Sequence, residues 1–193
     1  MPRTKQFDKQ EVLEKAMELF WEKGFHATSM QDLVTHLGIN RASLYDTFGG
    51  KEALFESAFQ LYRQTSTKHI QQLFKSEQNV RQGFKVLFEK AIEESLNDPC
   101  KKGCFVVNTT TELIPGDVKI QRILLENKNN AETLFADYVQ KGIANGQIDS
   151  AKDAKEIGLM LFTLFNGIRV LAKVDSNPSK LKKVVNLGLS VLA

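Results

Sequence analysis

Arg41, Ala42, Ser43 and Tyr45 crowd into five residues and offer four kinds of contact. A guanidinium is a planar fork matching the two acceptors on a guanine edge, a bare methyl meets the thymine methyl, and a hydroxyl serves several partners. Tyr45 has the reach for a phosphate. Lys51 follows a glycine pair and opens a new helical pattern, so its charge adds to free backbone amides, a combination that clamps phosphate. Cys104 is the second reactive centre. It follows Lys101 and Lys102 and opens a helical segment, and both features favour thiolate. Such a sulfur senses oxidants or electrophiles, with Cys100 as resolving thiol, whereas a small buried cysteine is inert core. His26, His36 and His69 are remote in sequence from both cysteines, so no metal site is expected. No Glu-x-x-His pair, phosphate-binding glycine loop or nucleophile elbow occurs, so neither an enzyme nor a cofactor is implied.

The elements that position these residues are helical, and no run alternates as a strand would. From Asp8 to Lys23, Leu13, Ala16, Met17 and Phe20 recur at helical spacing, and Gly24 stops the helix. Ser29-x-x-Asp32 reads as a capping box for a second, short helix with Met30, Leu33, Val34 and Leu37 inward, closed by Gly38. Asn40 caps a third, Arg41 to Phe48, with Leu44 and Phe48 inward. Gly49-Gly50 breaks the chain before a long fourth helix. Further helices are predicted over 78–97, 104–113, 117–144, 151–174 and 178–192, bounded by Pro99, Pro115 and Asn145-Gly146. The expected fold is all-α: a three-helix head over residues 1–50 and a larger body over 51–193.

Composition bounds the reading without deciding it. With 193 residues and 42% apolar content the chain can bury a large core. The net charge of +3 is no argument for nucleic acid, because residues 1–68 carry nine basic and nine acidic side chains. No window meets the apolar run of a membrane span, and the N-terminus lacks the apolar core of a signal peptide, so a cytoplasmic protein is expected. Two cysteines are too few for a disulfide scaffold.

Two short helices joined by a glycine turn are the skeleton of a helix-turn-helix, whose second helix lies in the major groove of DNA. Residues 12–55, VLEKAMELFWEKGFHATSMQDLVTHLGINRASLYDTFGGKEALF, resemble the N-terminal domain of the tetracycline-repressor (TetR/AcrR) family. The match runs through Leu19-Phe20, Gly24, Thr28, Leu33, Gly38, Leu44-Tyr45, Phe48, Lys51 and Leu54, with Val34 where the family commonly has alanine. The resemblance implies about nine helices, a homodimer on double-stranded operator DNA, and a body whose effector pocket releases the DNA. Thr28, Asn40, Arg41, Ala42, Ser43, Tyr45 and Lys51 are the expected DNA-contacting residues.

The body is less explicit. GCFVVNTTTEL, residues 103–113, resembles the sixth helix of one subset of the family and puts Cys104, Asn108 and Glu112 on one face. That stripe, with Phe88, Tyr138, Phe162, Phe165 and Asn166, is expected to line a mainly apolar effector pocket. Ile157, Leu161, Leu164, Ile168 and Leu171, then Leu181, Val184, Val185 and Leu189, give the last two helices apolar faces too broad for one contact. In the family these helices pair into a four-helix dimer bundle. A repressor released by a small molecule is therefore expected. A thiol-sensing repressor using Cys104 and a ligand-independent DNA-binding protein are the alternatives.

Overall fold

A computed structural model describes residues 7–175 and 177–193, so the first six residues of the N-terminus discussed above lie outside the described residues. Nine α-helices and no strands are found among them. The helices are α1 (Lys9–Lys23), α2 (Met30–Leu37), α3 (Arg41–Phe48), α4 (Lys51–Ser76), α5 (Val80–Asn97), α6 (Phe105–Leu113), α7 (Val118–Ala144), α8 (Ala154–Val174) and α9 (Pro178–Gly188), followed by a short 3-10 turn, Leu189–Leu192.

Local chemistry sets most helix boundaries. Asp8, Ser29, Asn40, Asn79, Asp117, Asp153 and Asn177 each accept an amide of the following turn, which satisfies donors that the helix cannot. Gly38 and Gly49 close α2 and α3 at φ of 66° and 87°, where a side chain would be strained. The α1 stripe is rotated from its expected position. Val12, Ala16, Leu19 and Phe20 are buried, while Leu13 and Met17 pack only at the margin. The cause is α4, which lies along α1 and draws the Val12–Leu19 side inward.

Two apolar cores result. One joins α1, α2 and α3 to the first half of α4, and continues into Phe105, Leu113, Ile120 and Leu124. The other lies in the body, where Phe74, Phe84, Phe135 and Tyr138 form a cluster with ring centroids 4.0–5.7 Å apart. The hydroxyl of Tyr138 donates to the Glu77 carbonyl at 2.9 Å, tying α7 to the α4–α5 junction. Gly83 makes room for that ring, since a Cβ there would lie 2.1 Å from the Tyr138 oxygen. α7 and α8 approach closely at Gly158, where a Cβ would meet the Ala136 Cα at 2.8 Å.

By length and composition α8 qualifies as a membrane-crossing helix, contrary to the expectation that no stretch would. Thr163 and Asn166 interrupt its apolar run, but its charged residues are too few to disqualify it. Leu161, Phe165, Ile168 and Ala172 are buried against the body. Leu159, Val170, Leu171 and Val174 remain exposed, with Val184 and Leu187 of α9.

Candidate DNA-binding surface and body clefts

α3 presents its outward residues as its spacing predicts. Leu44 and Phe48 are buried, Arg41 and Ala42 are exposed, Ser43 is half-buried, and Tyr45 is 45% exposed. Asn40 is engaged as the cap, its Oδ1 accepting from the Ser43 amide at 2.8 Å. The Arg41 guanidinium lies 5.8 Å from the Tyr45 ring centre, so the two side chains share one exposed ridge. Lys51 begins α4, and Gly50 supplies no side-chain cap, leaving the first amides of that helix open to an anion. The Lys51 ammonium rests 4.4 Å above the Phe25 ring.

Thr28 requires correction as a side-chain contact to DNA. It is 0% exposed, and its hydroxyl donates to the Gly24 carbonyl at 2.6 Å, closing the turn that ends α1. The turn delivers the chain to Ser29, whose hydroxyl accepts the Asp32 amide at 3.0 Å while the Asp32 carboxylate accepts the Ser29 amide at 2.9 Å. The Ser29 hydroxyl also donates to the Asp32 carboxylate at 2.6 Å, and this bond, then the Ser29 amide, then the Lys23 ammonium 2.9 Å away, hold the Asp32 carboxyl well below the usual carboxylate range.

Two of the clefts in the body are lined by residues expected to meet an effector. One, about 430 Å³, lies between α6, α7 and α8 and is mainly apolar, with Val106, Val107, Leu124 and Phe162 as walls and Asn166 and Gln121 as polar groups. The other, about 560 Å³, lies between α4, α5 and α8 and is more polar, with His69, Lys90, Glu94 and Arg169 beside Phe165.

Of the expected effector residues, Phe162 and Asn166 line the first cleft and Phe165 the second. Phe88 and Tyr138 line neither. Phe88 is fully buried against Phe165, ring centres 5.7 Å apart, and Tyr138 belongs to the aromatic core. Cys104, Asn108 and Glu112 line neither cleft, although Cys104 receives Arg169 from the wall of the second. Asn108 donates to the Lys102 carbonyl at 2.8 Å and receives the Lys173 ammonium at 3.2 Å. Glu112 accepts the amides of Phe25 and His26.

Cys104 is buried, and Cys100 is free and exposed. The Arg169 guanidinium donates to the Cys104 sulfur at 3.0 Å and to the Tyr62 hydroxyl at 2.8 Å. Burial pushes the Tyr62 phenol up to about 12. Burial works against the charge on Arg169, but the Cys104 sulfur and Tyr62 oxygen outweigh it and raise the group above its ordinary value. Sequence reading did not find Arg169. It sits 65 residues from Cys104, with no local pattern to join them. Among the described residues no group of three or more His, Cys, Asp or Glu side chains is placed to hold a metal.

The chain is similar to known proteins over nearly all of its length. Residues 12–58 match the family of bacterial regulatory proteins, tetR family, and residues 83–187 match the tetracyclin repressor-like C-terminal domain. The HTH-type transcriptional regulator YezE of Bacillus subtilis strain 168 is 31% identical over the whole of both chains. The HTH-type transcriptional repressor ComR of Escherichia coli K12 is 29% identical over 97% of this chain and 90% of its own. Among solved structures, a cysteine-substituted form of the TetR family transcriptional regulator CifR, complexed with 26-bp double-strand operator DNA, superposes with a TM-score of 0.88. It is 26% identical, with 99% of this chain and 100% of that one covered. With an open α3 ridge, an uncapped α4 start and matches to both halves of the fold, the chain belongs to the TetR family of DNA-binding transcriptional regulators.

Proposed function

We propose that the protein is a homodimeric repressor of a palindromic operator, released when a small, mainly apolar molecule occupies the cleft between α6, α7 and α8. The observation that carries this reading is the pairing of one helix-turn-helix per chain with an unpartnered apolar row on α8 and α9. Val174 is 82% exposed and Leu187 75%, beside Leu159, Val170, Leu171 and Val184. A second copy covering that row sets two α3 ridges side by side, and two-fold symmetry in the protein demands a palindrome in the DNA. Arg41, Ala42 and Ser43 read base edges, while Tyr45, Lys51 and the first amides of α4 hold phosphates. The cleft suits an apolar ligand oriented by one or two polar groups. Footprinting on DNA selected by the protein tests the first part: a short palindromic footprint is expected, and an asymmetric one overturns it. Release of that DNA by an apolar compound that Phe162→Ala no longer answers to tests the second.

A thiol-sensing reading is favoured by the Arg169–Cys104 contact, while the burial of Cys104 favours inert core. The Cys104 sulfur takes one oxygen of a peroxide, the other leaving as water or an alcohol, and the sulfenic acid condenses with the Cys100 thiol to a disulfide and water. The guanidinium at the sulfur is the cationic neighbour that such attack requires. On this reading peroxide releases the DNA from the parent protein and leaves Cys104→Ser bound.

A further inference from the structure

α6 stands between the cleft and the DNA-binding head. Val106, Val107, Thr110 and Thr111 form one wall of the cleft. From its other side the Glu112 carboxylate reaches the turn that joins α1 to α2, where its Oε2 accepts the Phe25 amide at 3.0 Å and its Oε1 the His26 amide at 2.7 Å. The turn is shaped for it: Gly24 has φ of 86°, and a Cβ there would lie 2.8 Å from the Glu112 oxygen. A carboxylate that accepts two backbone amides is a charge-assisted, two-point clasp, and it fixes orientation as well as distance. Downstream, the Thr28 hydroxyl closes the turn on Gly24 and the Ser29–Asp32 box starts α2. The beginning of α6 is tied to the head as well. The Trp21 indole donates to the Gly103 carbonyl at 3.1 Å, and Lys102 pairs with Glu18 at 2.7 Å.

We propose that Glu112 is the positioning residue through which the state of α6 reaches the helix-turn-helix. The proposal rests on the reading that the cleft between α6, α7 and α8 takes the effector. A molecule that displaces the Val107–Thr111 wall moves the helix whose Glu112 clasps the turn. The clasp then breaks, and its amides and carboxylate return to water. A ligand shifts a conformational equilibrium only by contacts that differ between the two states, and the clasp supplies such a difference on the DNA side. Because Cys104 precedes α6 directly, a change at its sulfur acts on the same helix and leaves by the same residue.

The experiment needs no identified effector. Val107→Trp fills the cleft from α6, and Glu112→Ala removes the clasp. The full chain carries each substitution alone and both together, and binding is measured to a duplex selected with the parent protein. Circular dichroism melts establish folding, with Thr111→Trp in reserve as the filling variant. In the parent background the tryptophan is expected to weaken the duplex by roughly 5–150-fold. In the Glu112→Ala background it is expected to add less than about twofold, well short of additivity. Hydrogen exchange at the Phe25 and His26 amides quickens in Val107→Trp, and Glu112→Asp restores part of the coupling that Glu112→Ala loses. Full additivity, or unchanged exchange at those amides, overturns the role of Glu112 while leaving the cleft as effector site. No effect of the tryptophan in the parent background overturns the cleft reading, and the role of Glu112 with it.

Discussion

Arg41 and Lys51 carry the same formal charge, and we propose different work for them, because one stands on an exposed helix ridge and the other opens α4 where no side chain caps the first amides. Arg41→Ala is expected to cost about 1–3 kcal/mol and to relax base preference at one position in each half-site. Lys51→Ala is expected to weaken all duplexes alike and to reduce the salt slope by about one. Binding titrations at several salt concentrations on the selected duplex and its single-base variants separate the two. Asp32 has a pH signature. Its carboxyl is held down in the folded chain by the Ser29 bonds and Lys23, so its contribution is complete above about pH 4 and is lost as pH falls through the depressed value. In thermal melts the stability gap between the parent and Asp32→Asn is therefore expected to be full near neutrality and to close progressively in acid. A gap that widens in acid contradicts the assignment. Asn40, Ser29 and Arg41 were legible at this scale because a cap and a ridge are decided within four residues. Arg169 was not, since its meaning comes from a sulfur and a phenol on other elements.

Helix ends were legible from the sequence to within a few residues, and helix faces less often. Glycines, asparagines and prolines stop or start a helix by local geometry, whereas the face that is buried depends on what packs against it. α6 shows this most clearly. Its Cys104–Asn108–Glu112 stripe was visible as a stripe, yet its direction is set by Phe25 and His26, 87 and 86 residues away, and by Arg169 and Lys173 of α8. The core face of α6 also carries Thr109, buried with a hydroxyl that finds no partner. Thr109→Val keeps the shape and removes the orphan group, and a gain of about 1 kcal/mol is expected in denaturant melts. The α5–α7 contact predicts the opposite sign. Gly83→Ala drives a methyl into the Tyr138 hydroxyl, so a loss of about 1–3 kcal/mol is expected, with part regained by adding Tyr138→Phe. Equal losses in both backgrounds would show that the clash lies elsewhere.

For the whole molecule, the apolar row on α8 and α9 makes the oligomeric state a testable matter of surface. Leu171→Asp with Val174→Asp places charges on that row without touching the buried side of α8, where Leu161, Phe165 and Ile168 lie. Sedimentation is expected to show a folded monomer that binds the selected duplex far more weakly; a variant that remains dimeric removes the row from the interface. The continuity of the first core bears on how such proteins can be recombined. Phe20, Leu33, Leu44 and Phe55 share one apolar interior with Phe105, Leu113, Ile120 and Leu124, which enter the sequence 57 to 76 residues after α3 ends at Phe48. Grafting residues 1–50 onto another relative's sensor would therefore sever a single interior and leave aromatic surfaces without their counterparts. Exchange of specificity between relatives is better confined to the outward side chains of α3, leaving every buried partner in place.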